Sequence, residues 1–257
     1  MLKELWRYYT TPVPRYVREL GFLYEVVALE ARAKRCQQAW QPHSDICKQL
    51  IQEAVQQYAM NRHVSLLGSG LLTDVPVDYF ASHTQRTNLI DIVHLKPALK
   101  VLNAYPNLYP IADDITDEAE QFHKALTTGL VPLPPVKTPA PDHLENSNLI
   151  ISLNLLSQLP LAFKGAAAKR GRNLPKAYGD DLMKAHLEML RNHPAPSLLI
   201  TDQYQEYWQG GECIDRSDMT THLNLGEPFK KWQWHIAPKG EAYKNMDVIH
   251  HVAAWWL

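Results

Sequence analysis

The sequence predicts an α/β protein in which a mainly parallel sheet follows an N-terminal helical region. Three observations support this fold class. Residues 20–58 carry apolar side chains at helical spacing. After residue 63, short apolar runs alternate with amphipathic stretches, the pattern that produces a parallel sheet with crossover helices. Near the end of the chain, two strand-like runs follow each other with no helical pattern between them.

The composition fits one folded chain of this class. With 257 residues, 46% of them hydrophobic, the chain is long enough to bury a full core. Lys and Arg number 26 against 27 Asp and Glu, so no overall basic charge attracts nucleic acid or an anionic membrane. The three cysteines form no CxxC pair, and no apolar run approaches the length of a membrane span or a signal-peptide core. We therefore expect a cytoplasmic protein without a metal or a membrane partner.

The first 62 residues are predicted to form an N-terminal helical cap. Apolar positions recur at helical spacing over 20–31 and again over 46–58. The stretch between these helices carries Arg32, Lys34, Arg35, Trp40 and His43. The basic residues are most simply the solvent-exposed face of a helix. The functional alternative is that the cap folds over the cleft of the sheet, where these residues would supply cations for an acidic substrate and Trp40 would cover a planar group.

Residues 63–257 are predicted to form the sheet domain. Its first five strands are expected at 63–68, 87–92, 107–112, 148–153 and 197–202. Helices are expected at 74–83, 96–104, 116–127 and 180–193. Five prolines fall between 132 and 141, so the segment 129–148 is expected to be an extended surface excursion, either a lid or a spacer.

The last two strands are predicted at 231–236 and 248–256. They are joined by a turn region at 238–240 and must therefore be antiparallel neighbours. We interpret the tryptophans of this hairpin as packing residues or as part of a homodimer surface. The adjacent His250 and His251 are expected to point to opposite faces of their strand, which argues against a shared metal ion.

A two-glycine turn follows the first predicted strand, in the sequence LLGSGLLTD over 66–74. At the carboxyl end of a parallel strand, such a turn lets a ligand approach bare backbone, which is typical of a nucleotide-type site. Asp91 ends the second strand, 21 residues after Gly70, at the spacing where a carboxylate accepts hydrogen bonds from ribose hydroxyls. Asp113 and Asp114 end the third strand after a similar interval. Three strand ends therefore present glycine, Asp and Asp in order.

The residue three positions after Gly70 distinguishes two classes of cofactor. A dinucleotide favours a third glycine in the pattern GxGxxG, whereas Thr73 stands at that position here. S-Adenosylmethionine carries no phosphate and needs a close turn, a carboxylate for its ribose and a polar group near its adenine. The pattern therefore favours S-adenosylmethionine over NAD(P).

On these residues the chain resembles the class I S-adenosylmethionine-dependent methyltransferases, over about residues 60–257. The resemblance rests on LLGSG, on the two strand-end acids Asp91 and Asp113, on IISLNLLSQLP after the fourth strand, and on the terminal hairpin. It implies a Rossmann-like seven-stranded sheet in the order 3-2-1-4-5-7-6, with the last strand pair antiparallel. It also implies S-adenosyl-L-methionine bound by Gly68, Ser69, Gly70, Asp91, Ile92, Asp113, Asp114, Asn154 and Leu155.

Two positions depart from the usual pattern of that family. Leu66 stands where an acid usually precedes the first glycine, and Leu72 stands where a third glycine is usual. The first change removes a support for the turn, and the second is expected to narrow the cleft near the methionine end of the cofactor. Asp74 is expected either to compensate or to cap the following helix.

Together these features predict methyl transfer from S-adenosylmethionine to a small-molecule acceptor. The sulfonium methyl group is already activated, so the protein need only align donor and acceptor and exclude water. The candidate catalytic residues are Asn154, Tyr204 and His83, with Asp202 and His94 as further residues near the same rim. A nucleic-acid acceptor is disfavoured because no NPPY-like motif follows the fourth strand. An NAD(P)-dependent oxidoreductase and a non-catalytic methyltransferase-like binding or scaffold protein remain as alternatives.

Overall fold

The computed structural model describes residues 2–130 and 133–257. Positions 131 and 132, which belong to the predicted proline-rich excursion, lie outside the described residues. The helices are α1 (Leu2–Thr10), α2 (Arg15–Glu19), α3 (Phe22–Arg35), α4 (Gln37–Tyr58), α5 (Val77–His83), α6 (Lys96–Leu102), α7 (Ala119–Thr128), α8 (Leu159–Ala168) and α9 (Lys176–Asn192). The strands are β1 (His63–Leu67), β2 (Arg86–Asp91), β3 (Leu108–Ala112), β4 (Leu149–Leu153), β5 (Ser197–Gln209), β6 (Glu212–Asp218), β7 (Lys230–Ala237) and β8 (Asp247–Trp256). Within these ranges, no helix combines the length and apolar character that crossing a membrane requires.

The described strands form one eight-stranded sheet in the order β3-β2-β1-β4-β5-β8-β7, with β6 paired to β5 off this path. Strands β1 to β5 run parallel, and β8 pairs antiparallel with both β5 and β7. Once β6 is set aside, this is the order that the resemblance predicts, so the Rossmann-like methyltransferase fold is confirmed. Strand β6 was not predicted, and β5 continues past the predicted residue 202 to pair with it.

Alternate residues of the central strands enter separate cores on the two faces of the sheet. Leu66 of β1 and Ile151 of β4 pack in a core shared with α4. Leu67 and Ile150 point the other way, into a core shared with α9. Helix α4 places Ile51 in the first core with no exposed surface, so this part of the predicted cap packs directly on the sheet. A domain boundary between residues 62 and 63 stays a prediction.

Several helix boundaries differ from the predicted ones for local reasons. Helix α5 begins at Val77 rather than at 74 because Pro76 precedes its first turn. Helix α9 begins at Lys176 rather than at 180, again after a proline. Helix α8 was not predicted, because glycine and basic residues dilute the apolar pattern of its second half.

The edge of the sheet at the carboxyl ends of β1 to β5 is the part of the fold that positions a site. Strand β7 also ends at this edge and β8 begins there, because β8 runs antiparallel to its neighbours. Residues of α3 and α8 line the same space from outside the sheet. The result is a cavity of about 670 Å³.

Candidate functional site

The cavity brings together the residues that end successive strands. The nine cofactor-contact residues implied by the family resemblance all line it: Gly68, Ser69, Gly70, Asp91, Ile92, Asp113, Asp114, Asn154 and Leu155. Asp202, a further candidate, also lines the cavity, whereas Tyr204, His83 and His94 do not. The roles of these residues are argued below from their individual contacts.

The two glycines of the turn are required by backbone geometry. Gly68 and Gly70 have φ angles of 86° and 43°, in the left-handed region that glycine adopts without cost. A Cβ atom on Gly68 would lie 2.5 Å from the carbonyl oxygen of Leu153 and 3.3 Å from the Cβ of Leu155. The turn from β1 therefore passes so close to the end of β4 that no side chain fits between them.

Leu72 has a backbone conformation that favours glycine. Its φ angle is 66°, a left-handed conformation that costs a leucine about 1–2 kcal/mol. Its side chain packs against the core on the α4 face and does not line the cavity. The expectation that Leu72 narrows the cleft is therefore wrong, because the left-handed backbone turns the side chain into the core.

Asp91 supports the glycine turn from the neighbouring strand. Its Oδ2 accepts a hydrogen bond of 2.8 Å from the Gly70 N–H, and Oδ1 lies 3.4 Å from the N–H of Val93. Burial at the bottom of the cavity raises the pKa of Asp91 to about 6, against the lowering effect of these backbone donors. Asp91 thus supplies a support that the buried Leu66 cannot give.

Asp113 and Asp114 are adjacent but differently engaged. Both oxygens of Asp114 accept hydrogen bonds at the start of α7: Oδ1 from the N–H and hydroxyl of Thr116, and Oδ2 from the N–H of Ala119. The Asp113 side chain is 43% exposed, and its Oδ2 atom lies 3.5 Å from Nδ1 of His143. Asp113 is therefore the freer acceptor toward the cavity, and Asp114 serves mainly to hold α7.

A buried polar cluster lies where β4 ends. The Nδ2 atom of Asn154 lies 3.1 Å from Asp74 Oδ2 and 3.0 Å from His43 Nε2. Ser44 donates a hydrogen bond to the other oxygen of Asp74. Burial raises the pKa of Asp74, but the contacts with these three residues outweigh burial, so its pKa lies below the ordinary value. Asp74 therefore places an ionised carboxylate on the cavity wall, and its hydrogen bonds go to Ser44 and Asn154 rather than to the start of α5.

Asn154 carries a further sign of a ligand position. Its Oδ1 atom is buried without a hydrogen-bond partner among the described residues, and its backbone is left-handed, with φ 49°. Buried amide oxygens normally have a donor. An amide held this way beside the cavity is able to accept a hydrogen bond from a bound group.

The structure pairs His250 with Asp202, and the sequence pattern did not predict this pair. The Nδ1 atom of His250 lies 3.2 Å from Asp202 Oδ1, and Ser157 donates a hydrogen bond of 2.9 Å to Asp202 Oδ2. Asp202 is only 1% exposed. Burial raises its pKa, but the contacts with His250 and Ser157 outweigh burial, so the pKa lies below the ordinary value. The structure thus holds a histidine on the cavity wall against an ionised, buried carboxylate.

In the sheet, His250 lies opposite Trp234 of β7 and Gln205 of β5. Both of these neighbours also line the cavity. The predicted opposite orientation of the next residue is seen, since His251 lies 2.9 Å from Glu206 rather than in the cavity. Reading His250 as a site residue required the strand register, which the sequence pattern alone does not supply.

Aromatic side chains line the part of the cavity around His250. They are Trp40, Tyr207, Trp234 and Tyr243. Trp40 and Trp234 meet edge to face at 5.2 Å between ring centroids, and Tyr207 and Tyr243 do so at 5.8 Å. The Trp40 indole donates a hydrogen bond to the Ile236 carbonyl, which fixes its ring. Trp234, interpreted from the sequence as a packing residue, is therefore also a cavity wall.

The N-terminal region reaches the cavity through α3 and Trp40 of α4, and it supplies few cations there. Of the three basic residues in the stretch after residue 31, only Arg32 lines the cavity, and its Nε lies 3.5 Å from Glu241. Arg35 forms two hydrogen bonds with the same carboxylate. Lys34 pairs with Glu30 on its own helix. Each of these three cations therefore lies near a carboxylate, but Arg32 and Arg35 share Glu241.

The structure places three candidate residues elsewhere. Tyr204 stacks on His251 at 4.1 Å, on the face of β5 away from the cavity. His83 stacks on Tyr79 at 4.1 Å. His94 lies behind the turn, with Nε2 2.9 Å from the Ser69 hydroxyl, and burial lowers its pKa to about 4. None of these side chains is placed to contact an acceptor in the cavity.

Comparisons with known proteins give structural matches only. No family model and no curated protein sequence matches the chain. Among solved structures, it is similar to the DhpI–SAH complex, with 14% identity, TM-score 0.42, and coverage of 88% of this chain and 93% of that one. It is also similar to a SAM-dependent methyltransferase from Leishmania major, with 11% identity, TM-score 0.42, and coverage of 97% and 81%. The 23S rRNA methyltransferase ErmE matches with 13% identity, TM-score 0.34, and coverage of 80% and 67%.

These TM-scores all lie below 0.5. The fold assignment therefore rests on the strand order of this chain, and any assignment of the site rests on its own side chains.

Proposed function

We propose that this protein transfers the methyl group of S-adenosyl-L-methionine to a small-molecule acceptor. The observation that carries the proposal is the meeting, in one cavity, of the side-chain-free turn at Gly68 and Gly70 with Asp91 and Asp113 from the next two strands. A carboxylate accepts hydrogen bonds from ribose hydroxyls, and a second one accepts from the exocyclic amine of adenine. This set of acceptors fits an adenosine.

The charges around the turn favour a sulfonium cofactor over a dinucleotide. The ionised carboxylate of Asp74 lines the cavity beside the turn, and a carboxylate so placed would repel a pyrophosphate. A dinucleotide site also needs a helix N-terminus directly after the turn, whereas α5 begins only at Val77. The sulfonium and ammonium groups of S-adenosylmethionine are cations, which Asp74 would attract.

Bound here, the cofactor would supply an activated methyl group. The chain would bind the cofactor, orient it and exclude water from the reacting groups. Asp91 would serve the ribose while still holding Gly70, and Asp113 would serve the adenine. Ile92 and Leu155 would contact the adenosine with apolar surface, and the unpartnered Oδ1 of Asn154 would accept from the cofactor's ammonium group. The overlying α3 and α8 would keep water from the reacting groups.

The acceptor fits best as a small molecule. A cavity of about 670 Å³ that is lined by apolar and aromatic residues has the volume and character of a small-molecule site. The net charge of −1 supplies no long-range attraction for a polyanion.

The direct test is calorimetric titration of the protein with four ligands: S-adenosylmethionine, S-adenosylhomocysteine, NAD and NADP. We expect saturable binding of both sulfur compounds and none of the nicotinamide cofactors. Binding of NAD or NADP alone would support an oxidoreductase instead. Failure of all four to bind, or to raise the melting temperature, would support the non-catalytic scaffold.

A further inference from the structure

We infer that the methyl acceptor is a planar aromatic compound with an acidic hydroxyl group, and that His250 takes the hydroxyl proton. This inference rests on the proposed function and names the acceptor class of the same cavity. It makes His250 a catalytic residue and Asp202 its positioning residue.

The strand order places His250 beyond the cofactor. The proposed cofactor residues end β3, β2, β1 and β4, whereas Asp202 and His250 lie on β5 and β8. At the usual spacing between strands, β8 lies about 14 Å from β1 across the sheet. The acceptor must sit next to the transferred methyl group and past the end of the adenosine, and that is the part of the cavity where His250 lies.

The contacts of His250 define which of its nitrogens is free to act. Nδ1 of His250 lies 3.2 Å from Asp202 Oδ1, and neither atom has a hydrogen-bond partner of good geometry among the described residues. An ionised carboxylate has no proton to donate, so it favours the tautomer with the proton on Nδ1. In the neutral ring, Nε2 then has a free lone pair. The same buried carboxylate stabilises the positive charge that forms when Nε2 takes a second proton. His250 is therefore arranged as a proton acceptor.

The surroundings of His250 include one other titratable pair. His43 of α4 stacks on one face of Trp234 at 4.0 Å, and His250 meets the same ring edge-on at 5.8 Å. His43 in turn lies 3.6 Å from Asp74. The indole thus separates two histidine–carboxylate pairs, and Asp202 remains the charged group in direct contact with His250.

The walls of the cavity select the acceptor's shape and charge. Two edge-to-face pairs, Trp40 with Trp234 and Tyr207 with Tyr243, offer ring faces and edges that favour an aromatic ligand. Among the described residues that line the cavity, the lysine and arginine side chains are Arg32, which lies 3.5 Å from Glu241, and Lys169, which lies over the Tyr24 ring. Neither is on β5, β7 or β8, the strands that carry the residues around His250. A neutral aromatic ring therefore fits this end better than a carboxylate or phosphate compound. A hydroxyl on that ring is weakly acidic, so one histidine is enough to ionise it.

The proton step balances without any further reactant. The O–H bond of the acceptor breaks, its proton moves to Nε2 of His250, and the electron pair stays on the oxygen as the nucleophile. The oxygen then bonds to the methyl carbon supplied by the cofactor, whose bond to sulfur breaks with its electron pair left on sulfur. His250 afterwards releases the proton to solvent.

The test uses 4-nitrophenol, whose phenolate absorbs visible light, with full-length protein saturated with S-adenosylhomocysteine. The titration is done at a pH below the pKa of the free phenol. We expect the bound probe to be largely phenolate in the wild type. His250→Gln should lower the bound phenolate by about tenfold, because glutamine cannot take the proton. His251→Gln is the matched control, since this neighbouring histidine pairs with Glu206 outside the cavity, and it should leave the phenolate signal unchanged.

Asp202→Asn provides a second variant that nearly preserves side-chain size. It should move deprotonation of the bound probe to higher pH, because the imidazolium loses its counter-charge, whereas a purely structural role would leave that pH profile in place. With an aromatic acceptor that turns over, His250→Gln should also lower kcat by about 10²-fold.

Calorimetric titration with S-adenosylhomocysteine separates the two proposals. If the wild type and His250→Gln bind it equally but the nitrophenol bound to the wild type is neutral, this inference is overturned and the proposed function stands. If the wild type does not bind S-adenosylhomocysteine, the proposed function fails and the inference fails with it.

Discussion

At the scale of single residues, the backbone around Gly68 leaves no alternative to glycine, and this is open to measurement. Gly68→Ala adds a left-handed φ, at about 1 kcal/mol, and an overlap with the Leu153 carbonyl, at about 2 kcal/mol. Gly171→Ala is a matched control, because Gly171 also has a positive φ, of 67°, but its Cβ would meet nothing within 4 Å. Urea denaturation should therefore show a larger loss of unfolding free energy for Gly68→Ala than for Gly171→Ala. Equal losses would mean that the end of β4 shifts to make room for the added Cβ atom.

Asp91 holds the Gly70 turn and is also the proposed ribose ligand, and substitution tests its contribution to cofactor binding. Asp91→Ala should weaken S-adenosylhomocysteine binding by about 1–3 kcal/mol, because the ribose hydroxyls lose a charged acceptor. Asp181→Ala, on the surface of α9, should leave affinity unchanged. Calorimetry measures both variants, and an unaltered affinity in a folded Asp91→Ala protein would remove this residue from the cofactor site.

The raised pKa of Asp91 predicts opposite pH trends for stability and binding. Because its folded pKa is about 6 rather than 3.8, the folded protein holds this proton more tightly than the unfolded chain. Its contribution to the free energy of unfolding is therefore full below 3.8 and is lost as the pH rises through about 6. Cofactor affinity should change the other way, falling by up to about tenfold from pH 7 to pH 5 as the acceptor is protonated. Asp91→Asn should flatten both profiles, and a persistent slope in either would assign it to another group.

At the residue scale, spacing predicts which side chains share one edge of the sheet, whereas their roles stay predictions. Spacing placed Gly68, Asp91 and Asp113 at one edge of the sheet, since parallel strands end together. Spacing did not separate Asp113 from Asp114, because that difference arises from hydrogen bonds to α7. It also did not reveal His250, whose partner on β5 depends on the register of a long antiparallel pair.

At the scale of elements, the unpredicted strand β6 shows how a charged edge strand escapes pattern analysis. Its residues are almost all exposed, so no alternation of apolar and polar side chains marks it. A local signal was nevertheless present in Gly210 and Gly211, whose φ angles of 62° and 89° fit a two-residue hairpin turn. Turn chemistry was thus a better guide to this element than hydrophobic periodicity.

An ion pair between α3 and the β7–β8 loop ties the two sides of the cavity. Arg35 donates two hydrogen bonds to Glu241, which precedes the cavity residues Ala242 and Tyr243. Glu241→Gln should cost well under about 1 kcal/mol of global stability, because Arg35 is largely exposed. Hydrogen exchange of the loop backbone should nevertheless quicken, since the loop loses its tie to α3.

Lys34→Gln is the matched control for this ion pair, because it breaks an exposed pair confined to α3. It should not change exchange in the β7–β8 loop. Equal exchange of that loop in the wild type and Glu241→Gln would show that the apolar contacts of Trp40 and Tyr243 hold the cavity wall without the ion pair.

At the scale of the whole molecule, the strand order was predictable from the resemblance to the methyltransferase family, whereas the alternation of strands and helices alone predicts a parallel sheet without the order of its strands. The extent of the hydrophobic core was not predictable from the sequence. The sequence suggested a cap over residues 1–62, yet α4 places Leu50, Ile51 and Val55 in the core that also contains Leu66 of β1. Helical periodicity shows that a face is buried, but it does not show which surface buries it.

This packing predicts the outcome of two truncations. A chain of residues 63–257 exposes the sheet face that Leu50, Ile51 and Val55 cover, at about 1.5–3 kcal/mol for each lost side chain. Together with Trp40, these losses rival the entire 5–15 kcal/mol that stabilises a typical domain. A chain lacking only residues 1–13 loses α1 but keeps α4 and its core. We expect the shorter truncation to retain near-ultraviolet circular dichroism and cooperative urea unfolding, and the longer one to lose both. Cooperative unfolding of 63–257 would establish the predicted cap as a separable unit, and the sheet would then need another explanation for how its α4 face is covered.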